Sequence, residues 1–295
     1  MPSLFNRYVY CFIICLLLLP LAMHGQTPTA VWGSTTATAR KNAADQVAKS
    51  KKKFKDVKKR LQEWGLDSNY NHELLVGGKV NSNGWSGSFY YLTRKSYKVS
   101  NLWEVHFSEI KHDKQDKLQG TNGAFPQLGA ATPFVYGKIN NLYTLQVGFG
   151  KEVLLLPAIM DGNLSVSFRY SGGFSLGMLK PYYLKLIYTD TITDLPYLSV
   201  QKYSSTNSER FLNTGAILGA SGFTKGLGDM IYVPGAYLET CFIITPGKKK
   251  AFIEAVTLGA NGAFYSRSLP IMADQKAYPY QASLFAGLAI GKRWK

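Results

Sequence analysis

The sequence predicts an all-β protein, an antiparallel transmembrane β-barrel of eight strands, and three observations predict it. Apolar residues form a solid run only once, over 8–23. Beyond that run they alternate with polar ones: Trp103, Val105 and Phe107 against Glu104, His106 and Ser108, and Leu164, Val166, Phe168 and Tyr170 against Ser165, Ser167, Arg169 and Ser171. Such alternation puts one face of each strand against lipid and the other toward a polar lumen. Short and long connections also succeed one another along the chain, as in barrels with short turns at one end and long loops at the other.

Residues 1–25 read as an export signal. Arg7 is the positive flank, Tyr8 to Met23 the apolar stretch, and Gly25 the small residue at cleavage, with an uncleaved anchor as the alternative. Residues 26–36 form a polar, Thr-rich linker. Over 37–64 the period changes. Ala43, Val47, Phe54, Val57, Leu61 and Trp64 fall on one helical stripe, lysines surround it, and Gly65 is a plausible stop. The expectation is a basic amphipathic helix ahead of the barrel, or else a solvated linker that folds only on a surface.

The strands are expected at 72–80, 85–95, 98–110, 134–156, 163–188, 231–245, 251–265 and 280–294. NSNG at 81–84 is the first turn. The segments 96–97, 157–162 and 246–250 are short turns, and 111–133 and 189–230 are long loops. With the N-terminus inside, the long loops point outward. The fourth and fifth strands exceed the ~9–11 residues needed to span, so they should project above the membrane. Splitting the fifth at Gly172-Gly173 would give ten strands; a bulge or bend at those glycines is the reading favoured here. Trp85, Tyr188 and Tyr232 are expected in the outer interfacial belt, and Trp103 and Trp294 in the inner one.

In the last strand Leu284, Ala286, Leu288, Ile290 and Trp294 share one face, and Phe285, Gly287, Ala289, Gly291 and Arg293 the other. This ending, GLAIGKRWK, resembles the C-terminal strand of Gram-negative outer-membrane proteins, although Lys295 follows the aromatic that usually comes last. The resemblance implies a small barrel of the OmpA and OmpX class, located in the outer membrane. It carries no functional residues over. A soluble β-sandwich is the alternative fold, but its outward aromatic faces would then lack a cover.

The net charge is +16, and Arg40 to Arg60 holds ten basic residues against Asp45 and Asp56, half of that excess. Export argues against nucleic acid as the counter-charge. The expected partners are outer-membrane lipid and lipopolysaccharide, with an anionic leaflet or an acidic periplasmic protein for 37–64. After signal cleavage only Cys241 remains, and His24, His72, His106 and His112 are scattered without ligand spacing, so neither a metal nor a cofactor is expected.

Charge on the lumen face is expected as a salt-bridged network of Arg94, Glu104, His106, Arg169, Glu239 and Arg293, with Glu73 and Lys79 as further members. Glu104, His106 and Ser108 also stand in the order acid, base, hydroxyl, and the His-x-Ser pair resembles that of outer-membrane lipid A deacylases. That resemblance implies an acyl hydrolase. Against it, residues two apart on a strand are ~6.5–7 Å apart, and this face points away from lipid. The glycines of 219–230 read as turn-makers in an outer loop rather than a phosphate cradle. The leading functional reading is a non-enzymatic barrel that binds through its outer loops or its basic helix. The alternatives are the acyl hydrolase and an envelope-assembly or secretion accessory protein.

Overall fold

The computed structural model describes residues 70–120, 126–157, 164–193, 195–246 and 252–294. The expected signal, the linker and the helix with Val47, Phe54, Val57, Leu61 and Trp64 lie outside the described residues, as do most of the two short turns at 157–162 and 246–250. In chain order the strands are β1 (His72–Asn81), β2 (Gly84–Arg94), β3 (Val99–Ile110), β4 (Lys117–Leu118), β5 (Phe134–Val135), β6 (Asn140–Leu156), β7 (Leu164–Pro181), β8 (Tyr183–Thr189) and β9 (Pro196–Lys202). A four-residue helix, α1 (Ser208–Phe211), then precedes β10 (Ile217–Ala220), β11 (Ile231–Pro246), β12 (Phe252–Tyr265) and β13 (Tyr280–Trp294).

Eight of these strands close a barrel in the order β1-β13-β12-β11-β7-β6-β3-β2, each antiparallel to its neighbours. Strand pairing between the first and last, His72 opposite Trp294, leaves the wall without an edge. The expected count of eight is therefore met. The ten-strand alternative is not, because β7 runs through Gly172 and Gly173 in unbroken register with both β6 and β11. The expected bulge is absent there. Those glycines serve close approach instead: a Cβ on Gly173 would lie 2.3 Å from the Val147 carbonyl oxygen. The register shift of this wall sits in β6, between Leu154 and Leu156.

Two other expectations change at the long-loop end. The fourth strand starts at Asn140 rather than 134. Phe134 and Val135 pair instead with β4, and Gly137 turns the chain at φ 64° before the wall begins. The fifth strand leaves the barrel at Pro181, whose ring has no N–H to continue the ladder. After Tyr182 the chain enters a separate three-stranded sheet, β10-β8-β9. The expected loop 189–230 thus folds into most of a small module with its own core of Phe134, Leu184, Leu186, Phe211 and Ile217.

The outward face of the wall is apolar and uncovered: Val80, Leu238 and Leu284 are 73 %, 72 % and 68 % exposed. The lumen face is filled in layers. Toward the short-turn end, Leu75, Leu92, Leu102, Ile243, Ile253 and Ala289 belong to one packed apolar cluster. At the long-loop end Leu142, Leu179, Val233, Tyr265, Leu269 and Ile271 form another. The expected polar lumen is found in the layer between them and in ion pairs toward the short-turn end.

Candidate lumen site

The middle layer is built by strand parity. On β3 the alternation that turns Trp103, Val105 and Phe107 outward turns Glu104, His106 and Ser108 inward, all buried. On β11 the same rule brings in Tyr237, Glu239 and Cys241, and on β1 it brings in Lys79. Lys79 Nζ lies 2.5 Å from Glu239 Oε1, with both side chains at most 4 % exposed. The other oxygen of Glu239 accepts from Asn261 Nδ2 at 3.0 Å, and Asn261 also donates to Gln146 Oε1 at 3.2 Å. Tyr237 donates to Glu104 Oε1 at 2.7 Å. Gly148 makes room for that tyrosine, since a Cβ there would stand 2.4 Å from its hydroxyl.

His106 stands between the carboxylates. Its Nε2 is 3.3 Å from Glu104 Oε1 and 3.9 Å from Glu239 Oε2. Among the described residues neither ring nitrogen has a hydrogen-bond partner, and neither has Glu104 Oε2. Single oxygens of the two glutamates and a nitrogen of His106 all lie within 4.8 Å of one another. Chain spacing conceals this trio because its third member comes from a distant strand.

The predicted network is not one cluster. Arg169 pairs with Glu152, Nη2 to Oε2 at 2.7 Å, and lies over the Tyr90 ring at 4.3 Å. Arg293 pairs with Glu73 at 2.9 Å near the short-turn end, and Arg94 acts on the same glutamate. Arg94 and Arg293 therefore belong to the mouth and not to the middle layer. Sequence reasoning missed Glu152, Tyr237, Asn261 and Gln146, although parity along β6, β11 and β12 marks each as inward.

The acid-base-hydroxyl row behaves differently from its expectation. Glu104 and His106 do meet, Nε2 to Oε1 at 3.3 Å. Ser108 does not join them, because His106 makes no hydrogen bond to any described residue. The hydroxyl faces a lumen cavity of about 20 Å³ that His106, Glu239, Thr144 and Asn81 also line.

The aromatic residues form two groups on the wall. Trp85 donates to Glu109 Oε2 at 2.7 Å and contacts Phe107, which stacks on Tyr143. Tyr232 is exposed near the long-loop end of β11. At the other end His72 stacks on Tyr91 and Trp294, while Trp103 meets Phe149. Tyr188 departs from expectation. It lies on β8 in the module at the long-loop end, stacks on Tyr197 and donates to Gln201 Oε1 at 3.0 Å, because its strand left the wall at Pro181. The glycine-rich stretch folds as turns that reach the rim: Lys180 donates to the Phe223 carbonyl, Tyr183 donates to Asp229, and Gly226 has φ 84°.

No family model matches the chain, and no curated protein matches it in sequence. Its fold is similar to those of solved outer-membrane barrels. A major outer membrane protein from Thermus thermophilus aligns with TM-score 0.38 and 10 % identity over 76 % of this chain and 99 % of that one. Ail, the attachment invasion locus protein of Yersinia pestis, in complex with the heparin analogue sucrose octasulfate, aligns with TM-score 0.35 and 8 % identity over 76 % and 97 %. Neisserial surface protein A gives TM-score 0.33 and 6 % identity over 74 % and 94 %. In architecture the chain is a small, closed, antiparallel barrel of eight strands.

Proposed function

We propose that this chain is a non-enzymatic surface protein of the outer membrane. In this reading the barrel is an anchor and the module at its long-loop end is the binding part. The uncovered apolar wall supports membrane residence, because such a surface is costly in water and at home in lipid. The observation that carries the division of labour is the lumen. Among the described residues it is packed by two apolar clusters with a charged layer between them, while the long-loop end builds a second core. Binding then falls to the side chains the module shows to solvent, among them Tyr197, Val200 and Phe223.

The topology that goes with this reading places the short turns in the periplasm. Cysteines introduced at 192 and 223 should react with an impermeant maleimide on intact cells, and a cysteine at 96 should not. Reconstituted protein should give no porin-sized conductance steps. Labelling at 96 alone would invert the topology, and large steps would make the barrel a channel. The segment 37–64 fits the same scheme as a tether to the anionic inner face of the membrane, or to an acidic periplasmic partner. Its peptide should gain helicity with anionic vesicles and lose it in high salt.

A further inference from the structure

We propose that Glu104, His106 and Glu239 form a binding site for one divalent transition-metal ion inside the barrel. The argument starts from charge. Glu104 and Glu239 bring two negative charges into the middle layer, and Lys79 returns one positive charge. With a neutral imidazole the group keeps one buried negative charge that needs a counter-charge. A proton on His106 or a bound cation would each supply it.

Geometry separates these two. An imidazolium would donate to a carboxylate at about 2.7–2.9 Å. The observed separations from Nε2 are 3.3 and 3.9 Å, and neither ring nitrogen has a hydrogen-bond partner among the described residues. Ligand atoms around one ion at about 2.0–2.2 Å stand roughly 3.0–3.6 Å from each other in octahedral to trigonal arrangements. In the trio 3.3 Å falls in that range, 3.9 Å lies just above it, and the two glutamate oxygens are within 4.8 Å of each other, with the ring plane held between Tyr90 and Tyr237 by edge contacts at 5.4 and 6.2 Å. Glu104 Oε2 is buried without a partner beside it. One imidazole with two carboxylates suits zinc, manganese, iron, cobalt or nickel better than calcium, which takes six to eight oxygens.

Two neighbours shape the site. Tyr237 fixes Glu104 through its hydroxyl, an outer hydrogen bond that orients a ligand. Lys79 shares Glu239 and opposes a second cation, so it should weaken binding rather than help it. The cavity beside His106 and Glu239 has room for a small ion or water, and Asn81, Asn83, Gln281 and Ser283 line its long-loop side, giving a polar approach from that end.

The test uses the full chain folded in detergent, stripped with EDTA and titrated with Zn²⁺ by calorimetry. One ion per barrel is expected, with a rise in the thermal unfolding midpoint at saturation. His106→Gln and Glu104→Gln should lose at least tenfold in affinity, His112→Gln should lose none, and Lys79→Met should bind more tightly. Co²⁺ in the same site should show a d–d absorption band that His106→Gln removes. Variants are first checked for the compact gel mobility of a folded barrel. Should a lumen variant fail to fold, the wild type against His112→Gln, and the Co²⁺ band of the wild type, decide the matter. Absence of stoichiometric Zn²⁺ binding by the wild type, or binding unchanged in folded His106→Gln, overturns the proposal and leaves the trio a protonated ion-pair cluster.

Discussion

Two layers of one lumen are held shut by different physics. Near the short turns, Leu75, Leu92, Leu102 and Ile243 pack as in any protein core, and their stabilisation is spread over many contacts. One level up, Lys79, Glu104 and Glu239 are as deeply buried, but each depends on a named partner. Loss of an atom from the apolar layer leaves a cavity. Loss of a partner from the charged layer leaves an ion in a medium that cannot solvate it. The first cost grows with volume and the second with charge, so the same truncation to alanine probes two different terms.

The largest effect should follow Glu239→Ala, which leaves the Lys79 ammonium buried over the Phe285 and Tyr90 rings without its carboxylate. Breaking a buried pair in this way costs about 3–5 kcal/mol. The measurement is urea unfolding of the barrel in detergent with EDTA present, read by gel mobility. Lys79→Met on top of it should recover most of the loss, because the pair then disappears as a unit. A double variant no more stable than Glu239→Ala would mean that packing, not charge, dominates here too. Next comes Leu92→Ala in the apolar layer, at about 2–5 kcal/mol. No partner substitution should rescue it, which is the contrast with Glu239. Smaller again is Gly148→Ala, at roughly 1–3 kcal/mol for an added methyl in a filled space. It pushes on the Tyr237 hydroxyl, so Tyr237→Phe should relieve part of the loss. Full additivity of those two changes would show that the contact does not matter.

How much of this was readable in the sequence follows the same divide. The wall was legible because each of its residues obeys two constraints at once, an uncovered apolar face on one side and a filled lumen on the other. Val105 and His106 could not exchange places without putting an imidazole on the apolar outward face and a valine among the lumen charges, so the period of two is enforced along the whole strand. The end points of β1, β3 and β13 accordingly fall within a residue or so of their expected positions. At the long-loop end that double constraint lapses. In β8 and β9 the burial is set by a local core and not by the barrel wall, so Tyr188 packs inside the module instead of at an interface. For the site, parity identified the inward face of Glu104, His106, Arg169 and Glu239, but not who meets whom. Partners across a closed lumen depend on the stagger of the strands, and that is fixed by hydrogen-bond register around the whole ring. This is why Arg169 found Glu152, and Arg293 found Glu73.

A lysine outside the barrel wall sharpens the comparison at its weakest end. Lys138 lies between β5 and β6 above the rim and is buried like Lys79, but it donates to a neutral group, Gln115 Oε1 at 3.1 Å. Burial lowers its pKa to about 8; Glu109 pulls the other way, while Lys111, Lys117 and Lys180 add to the lowering. The unfolded rim would hold that proton up to the ordinary lysine value of 10.5. Between about 8 and 10.5 the unfolded form therefore binds more protons than the folded one, and folding of the rim should become more favourable as pH rises through that window. Below about 8 the penalty is present in full. Hydrogen exchange of residues 136–139, corrected for intrinsic rates, should slow relative to the β1–β2 turn as pH goes from roughly 7.5 to about 10. Lys138→Met should slow it at the lower pH and remove the dependence. A dependence that survives the substitution would place its origin in Lys180 instead, whose pKa burial also lowers.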